Sequence, residues 1–211
     1  MKRDETWTAE EYGRAHEGRV GVLLADGTVP RPVYFDSNSG GSGWEVTHWS
    51  VYDGQGPYTP RPRAHSLRGE CSCGWTGTPR TLDPAPAAFG DEDEDQDDDG
   101  RAFREAGMQQ AEDCREDWDA HIATVTESTI PLPAELDTLL QTLNTHLEDL
   151  ADTSPLAALK AARTLEIMAR RSAYRPARDA QRLDPAEVAA GLGLDEDAAD
   201  ELLERCVSRS R

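Results

Sequence analysis

No stretch of the sequence approaches the ~20 consecutive apolar positions of a membrane span. No apolar run follows the first residues as an export signal would, so a cytoplasmic location is expected. Lysine is almost missing: the basic residues are 20 Arg and 2 Lys. Isoleucine is scarce and alanine abundant, a bias that fits a high-GC bacterial genome. Four cysteines in 211 residues are too few for a disulfide scaffold. In a reducing compartment, metal binding or plain burial suits Cys71, Cys73, Cys114 and Cys206 better. Basic charge is short as well, with 22 Lys+Arg against 41 Asp+Glu and a net charge of −19. That balance argues against bulk nucleic-acid binding, which draws on neutralised phosphates. The sequence also lacks G-x-x-x-x-G-K-[ST], G-x-G-x-x-G, H-E-x-x-H and G-x-S-x-G, so an enzyme is not expected.

What is present divides in two. Twelve of the 13 aromatic residues lie at or before Trp118, and only Tyr174 lies beyond it. Two prolines in Ile130-Pro131-Leu132-Pro133 break any continuing helix. The expected domains are therefore 1–129, rich in β-structure, and 130–211, helical. In the first, Thr8 to His16 reads as a short polar helix. Val20–Leu24, a turn at Asp26-Gly27 and Val33–Phe35 read as a hairpin. Trp44 to Tyr52 alternates like a strand covered on both faces, and a third strand runs from Ala64 into Cys71. Asp91 to Asp99 holds eight acidic residues in nine, which predicts a solvated, disordered loop. Arg101 to Val125 then reads as a long helix with Phe103, Met108, Ala111, Trp118 and Ile122 on its apolar face.

In the second part, Leu136, Leu139, Leu140, Leu143, Leu147 and Leu150 recur at spacings of three and four. The stripe predicts a packed bundle helix, with a homodimer seam along Leu136–Leu150 as the rival reading. Ser154-Pro155 opens the next helix, which Pro176 is expected to end. Asp184-Pro185 opens another, Gly191-Leu192-Gly193 turns, and Asp195 caps a last helix. Small Ala residues, a Leu-Gly turn and a cap make this end helix-turn-helix-like. Its second helix carries Asp195, Glu196, Asp197, Asp200, Glu201 and Glu204 against Arg205 alone. Phosphate would be repelled there, so a packing or protein-binding unit is preferred to a DNA reader. An Arg-rich stretch from Arg163 to Arg182 keeps a DNA-binding transcriptional regulator as the alternative.

The sharpest chemical signal is His65, Cys71-Ser72-Cys73-Gly74-Trp75 and, far downstream, Trp118-Asp119-Ala120-His121. A cytosolic Cys pair beside a Gly turn supplies two thiolates of the kind zinc prefers. His121 suits a third ligand and His65 the fourth. Cys114, Asp117 and His48 are rivals for the fourth place. Cys114 and His121 stand seven apart, ~10 Å along a helix, too far to share one ion. Four protein ligands would close the site and make the zinc structural, with no place for an activated water.

The order C-x-C-G-W, then a helix ending D-W-x-x-H, resembles uncharacterised small zinc-knuckle proteins of high-GC bacteria with a helix-turn-helix-like end. The resemblance spans roughly residues 44–211, includes Ile130–Pro133 and Ser154–Leu159, and implies a knuckle or treble-clef-like unit. The overall expectation is an α+β protein: a small antiparallel sheet with a zinc knuckle and a long helix, then a helical bundle. Its expected role is non-enzymatic: a cytoplasmic interaction or regulatory protein that binds a protein partner, not DNA or a membrane.

Overall fold

Extended β2 (Glu17–Leu23) and β5 (Ser66–Cys71) pair antiparallel, with Gly18 opposite Cys71 and Leu23 opposite Ser66. Short β1 (Thr6–Thr8) adds to the free edge of β2, and β6 (Arg80–Thr81) to that of β5. The sheet order is therefore β1-β2-β5-β6. The computed structural model describes residues 6–35, 43–55, 61–82 and 96–208. The fold class is α+β, as the sequence implied.

The Asp26-Gly27 turn forms, but it does not lead to a hairpin. Asp26 Oδ1 accepts from the Thr28 amide and hydroxyl, and Leu24 N donates to Thr28 O at 2.8 Å. Pro30 and Pro32 then follow, and neither has an amide to continue the ladder. The chain leaves the sheet. β3 (Val33–Phe35) pairs instead with β4 (Trp44–Val46) as a separate two-stranded ribbon.

The strand expected over Trp44–Tyr52 also stops early. His48 caps a 3-10 turn, Trp49–Val51, through its Nδ1, which accepts from Ser50 N at 3.2 Å. Trp49 and Tyr52 are both buried, a spacing of three that suits this turn and not an alternating strand. Near the start, Gly13–His16 forms only one 3-10 turn where a longer helix was expected.

A long helix, α1 (Gln96–Ser128), covers the sheet. The last part of the acidic run opens this helix, while positions 91–95 lie outside the described residues. The core gathers Val22 and Leu67 from the sheet, Trp49 and Tyr52 from the 3-10 segment, and Phe103 and Cys114 from α1. Each such fully buried large side chain contributes about 1.5–3 kcal/mol. Met108, expected on the apolar face, is exposed. α1 lies close to β2 because Gly18 has no side chain. A Cβ there would sit 2.5 Å from Trp118 Nε1. Trp118 is buried against that gap and meets Trp7 at 5.8 Å between ring centroids.

The chain divides into two compact units between Thr124 and Val125, inside α1 and upstream of the proline pair. The second unit holds α2 (Ala134–Thr153), α3 (Pro155–Ala180), α4 (Pro185–Leu192) and α5 (Glu196–Ser208). α2 packs on α3 yet has no buried residue. α3 runs through Pro176, contrary to expectation. Proline removes one helical hydrogen bond, but the next residue, Ala177, is buried and α3 packs on α5. Val188, Ala189 and Ala199 form a small second core with Ala180, Leu194 and Leu203. Leu192 stays exposed outside it. Among the described residues, no helix is long and apolar enough to cross a membrane.

Candidate metal centre

Cys71 ends β5 and Cys73 lies in the turn beyond it. Gly74 N donates to Cys71 O, and Cys71 N to Trp75 O, both at 2.9 Å. Gly74 takes φ 93°, a left-handed conformation that a side chain would strain. The turn folds both sulfurs toward one side.

The β2–β5 register decides what faces them. With Gly18 opposite Cys71, residues just before Gly18 lie beside those just after Cys71. Ser72 fastens this junction. Its hydroxyl donates to Arg14 O at 2.8 Å and accepts from Glu17 N at 2.8 Å. Its amide donates to Glu17 O at 2.9 Å. The result is that buried His16, at the end of the 3-10 turn, points Nδ1 to within 3.6 Å of Cys71 Sγ.

The fourth group comes from α1. Trp118 anchors the helix on Gly18, and His121 lies on the same helical face three residues on. The His121 ring stacks on Trp75 at 4.5 Å and 5°. Its Nε2 lies 3.4 Å from Cys73 Sγ. The two imidazoles, His16 and His121, sit 5.5 Å apart between centroids. One ligand atom from each of His16, Cys71, Cys73 and His121 falls within 4.8 Å of all the others.

These distances suit a tetrahedral ion. Zn–S of ~2.3 Å and Zn–N of ~2.0 Å place sulfur ~3.5 Å from nitrogen around one metal. The observed 3.4 and 3.6 Å separations lie on either side of that value. Burial, and then the adjacent His16, hold the His121 imidazole below its usual range. This favours the neutral form that ligates. Desolvation, with the Cys71 thiol beside it, pushes the Cys73 thiol up. A divalent cation between the sulfurs would reverse that preference.

The structure thus brings together three of the residues read from the sequence, Cys71, Cys73 and His121, and replaces the fourth. His65 is exposed one residue before β5, at the opposite end of the strand from Cys71. Six steps along the strand separate them, about 20 Å. The rivals are otherwise engaged. Asp117 forms a two-pronged ion pair with Arg80 at 2.8–3.1 Å, and Asp113 adds a contact at 3.5 Å. Cys114 is fully buried in the core, where desolvation pushes its thiol up to about 12. His48 is occupied as a helix cap.

His16 and Ser72 were missed because the hairpin reading gave β2 the wrong neighbour. The signal that finds them is the proline pair after Asp26-Gly27, which frees β2 to pair with the strand carrying the cysteines. No family model, curated protein or solved structure matches the chain.

Proposed function

We propose that His16, Cys71, Cys73 and His121 hold one structural zinc ion. The metal joins the start of β2, the knuckle after β5 and α1, and so fixes the first unit of a non-enzymatic interaction protein. The observation that carries this reading is the convergence of two imidazoles and two sulfurs from three distant segments at zinc-like spacing. Four protein ligands close the coordination sphere, which supports a structural rather than a catalytic ion. The second unit supplies the partner surface in this reading. α5 opens with Glu196 and Asp197 and continues with Asp200, Glu201 and Glu204, which supports a protein partner over duplex DNA.

Elemental analysis of the purified full chain tests the metal. One zinc per chain is expected, lost in a Cys71→Ser/Cys73→Ser double variant. His16→Ala should lower zinc content or affinity by about tenfold or more, since a first ligand is removed, while His65→Ala leaves both unchanged. Stoichiometric zinc in the double variant, or a loss with His65→Ala and none with His16→Ala, refutes the assignment.

A further inference from the structure

A cavity of about 760 Å³ opens in the first unit between α1, strands β1 and β2, and the 3-10 turn at Trp49–Val51. Small-molecule sites span ~300–1,000 Å³, and this volume falls among them. None of His16, Cys71, Cys73 and His121 lines it, so it is distinct from the metal centre.

The sequence of α1 builds one wall. Arg101, Arg104, Met108, Ala111 and Arg115 recur at spacings of three and four, which sets them in one stripe about 21 Å long. Arginines stand at both ends, with Met108 and Ala111 between them. Met108 is 56% exposed because it lines this cavity and not the core. Across from the stripe are half-buried Val20 of β2, half-buried Trp7 of β1 and buried Trp49. The two tryptophans mark opposite ends. Trp7 meets Trp118, three residues beyond Arg115, while Trp49 meets Phe103, beside Arg104, at 6.1 Å between ring centroids. The middle of the slot is apolar, and aromatic rings and a thioether suit a flat ring system there.

Charge decides what such a ring carries. Four arginines and two glutamates line the cavity. Arg19 is committed to Glu70 and Arg101 to Glu105, both at 3.0 Å. That leaves Arg104 and Arg115 against Glu112, a positive surplus in a chain of net charge −19. Among the described residues, neither Arg104 nor Arg115 makes an ion pair or hydrogen bond.

The two arginines are not equivalent. Side chains on a helix lean toward its start. That lean carries Arg104 back toward Gly100, where its Nη2 lies 3.7 Å from the place of an added Cβ. Asp97, Asp98 and Asp99 precede Gly100 in α1 and would repel an acid group at that end. The same lean carries Arg115 over Ala111 toward the middle of the slot. A free guanidinium beside an apolar floor is a two-pronged donor for a carboxylate.

We propose that this cavity binds a small free aromatic carboxylate, its ring system over Met108, Ala111 and Val20 beside Trp7 and its acid group paired with Arg115. The site adds a small-molecule ligand to a protein read above as an interaction module.

Calorimetric titration of the full chain with naphthoate tests it. One site per chain is expected, with a dissociation constant below about 1 mM. Naphthamide keeps the ring and lacks the charge, and should bind about tenfold more weakly or worse. Decanoate keeps the charge and lacks the ring, and should also bind several-fold more weakly. Arg115→Gln and, separately, Met108→Glu should each reduce naphthoate affinity by about tenfold or more. Glu112→Gln should raise it a few-fold, and Arg163→Gln on α3, which removes the same charge from the second unit, should leave it unchanged. Arg115 and Met108 are exposed, so far-UV circular dichroism and zinc content should not change in their variants, and this result is read separately from that of the metal site. Absence of saturable naphthoate binding up to about 5 mM overturns the proposal. So does naphthamide or decanoate binding as tightly as naphthoate, or naphthoate affinity indifferent to the Arg115 and Met108 variants.

Discussion

Cys114 and Cys73 show how the same side chain takes opposite characters within one unit. Cys73 is exposed on a turn with an imidazole 3.4 Å away, whereas Cys114 is fully buried among core side chains. Burial pushes the Cys114 thiol up to about 12 from an ordinary value of 9.0. In the native protein it should stay protonated and inert toward iodoacetamide at pH 8, and react only on unfolding. The sign for stability follows from linkage. Between pH 9 and 12 the unfolded chain has released this proton and the folded chain still holds it. Cys114 therefore lowers stability as the pH rises above 9, and denaturant midpoints should fall across that window less steeply in Cys114→Ala. Rapid labelling of Cys114 in the folded protein would refute the assignment. At this scale the sequence was legible where chemistry is local. Cys71-Ser72-Cys73-Gly74-Trp75 sets two thiols beside a glycine turn within five residues, and that is visible without any long-range information. His16 carries no such mark. It becomes a site residue only through the β2–β5 register and the Ser72 hydroxyl, and both are long-range facts.

Among the elements, α4 and α5 were the most legible, because caps and turns are written in neighbouring residues. Gly193 takes a left-handed φ of 67° at the end of α4, and Leu194 N donates back to Ala189 O at 2.9 Å. Asp195 Oδ1 then accepts from Ala198 N at 2.7 Å and starts α5. Asp195→Ala should destabilise the second unit by about 1 kcal/mol. Gly193→Ala should cost on the order of 1 kcal/mol through strain at positive φ. Both are measurable as shifts in urea midpoint, and an unchanged midpoint would show that this junction bears little of the unit's stability. α2 illustrates the opposite case. Its leucine period correctly predicted a helix with one apolar face, but periodicity says nothing of what covers that face. The bundle reading assumed a covering helix from the same unit, and the structure buries no residue of α2. The strand misread over Trp44–Tyr52 has a similar cause. The strand reading put Trp49 and Tyr52 on opposite faces and had to assume cover on both, whereas a 3-10 spacing of three buries them together, and the local mark of that turn is the His48 cap.

Across the whole molecule, every proposed ligand lies in the first of the two compact units. Site formation and folding are coupled where ligands come from separate segments. Removing zinc with a strong chelator should therefore lower the melting transition of the first unit and leave the helical signal of α2–α5 near its original temperature. Calorimetry of loaded and chelated protein should resolve this as one transition that moves and one that does not. A single transition moving as a whole would show the units to be energetically inseparable.

The placement of the ligands along the chain has a consequence for synthesis. His16 and the two cysteines leave the ribosome well before His121, which is 105 residues behind His16. At ~5–20 residues per second, the last ligand arrives roughly 5–20 s after the first. During that interval the nascent chain offers an incomplete set, two thiols and one imidazole, open to oxidation or to a competing soft metal. Under the proposed zinc assignment, a cell that limits zinc or imposes oxidative stress would thus affect this protein chiefly while it is being made, and copies already completed would be spared.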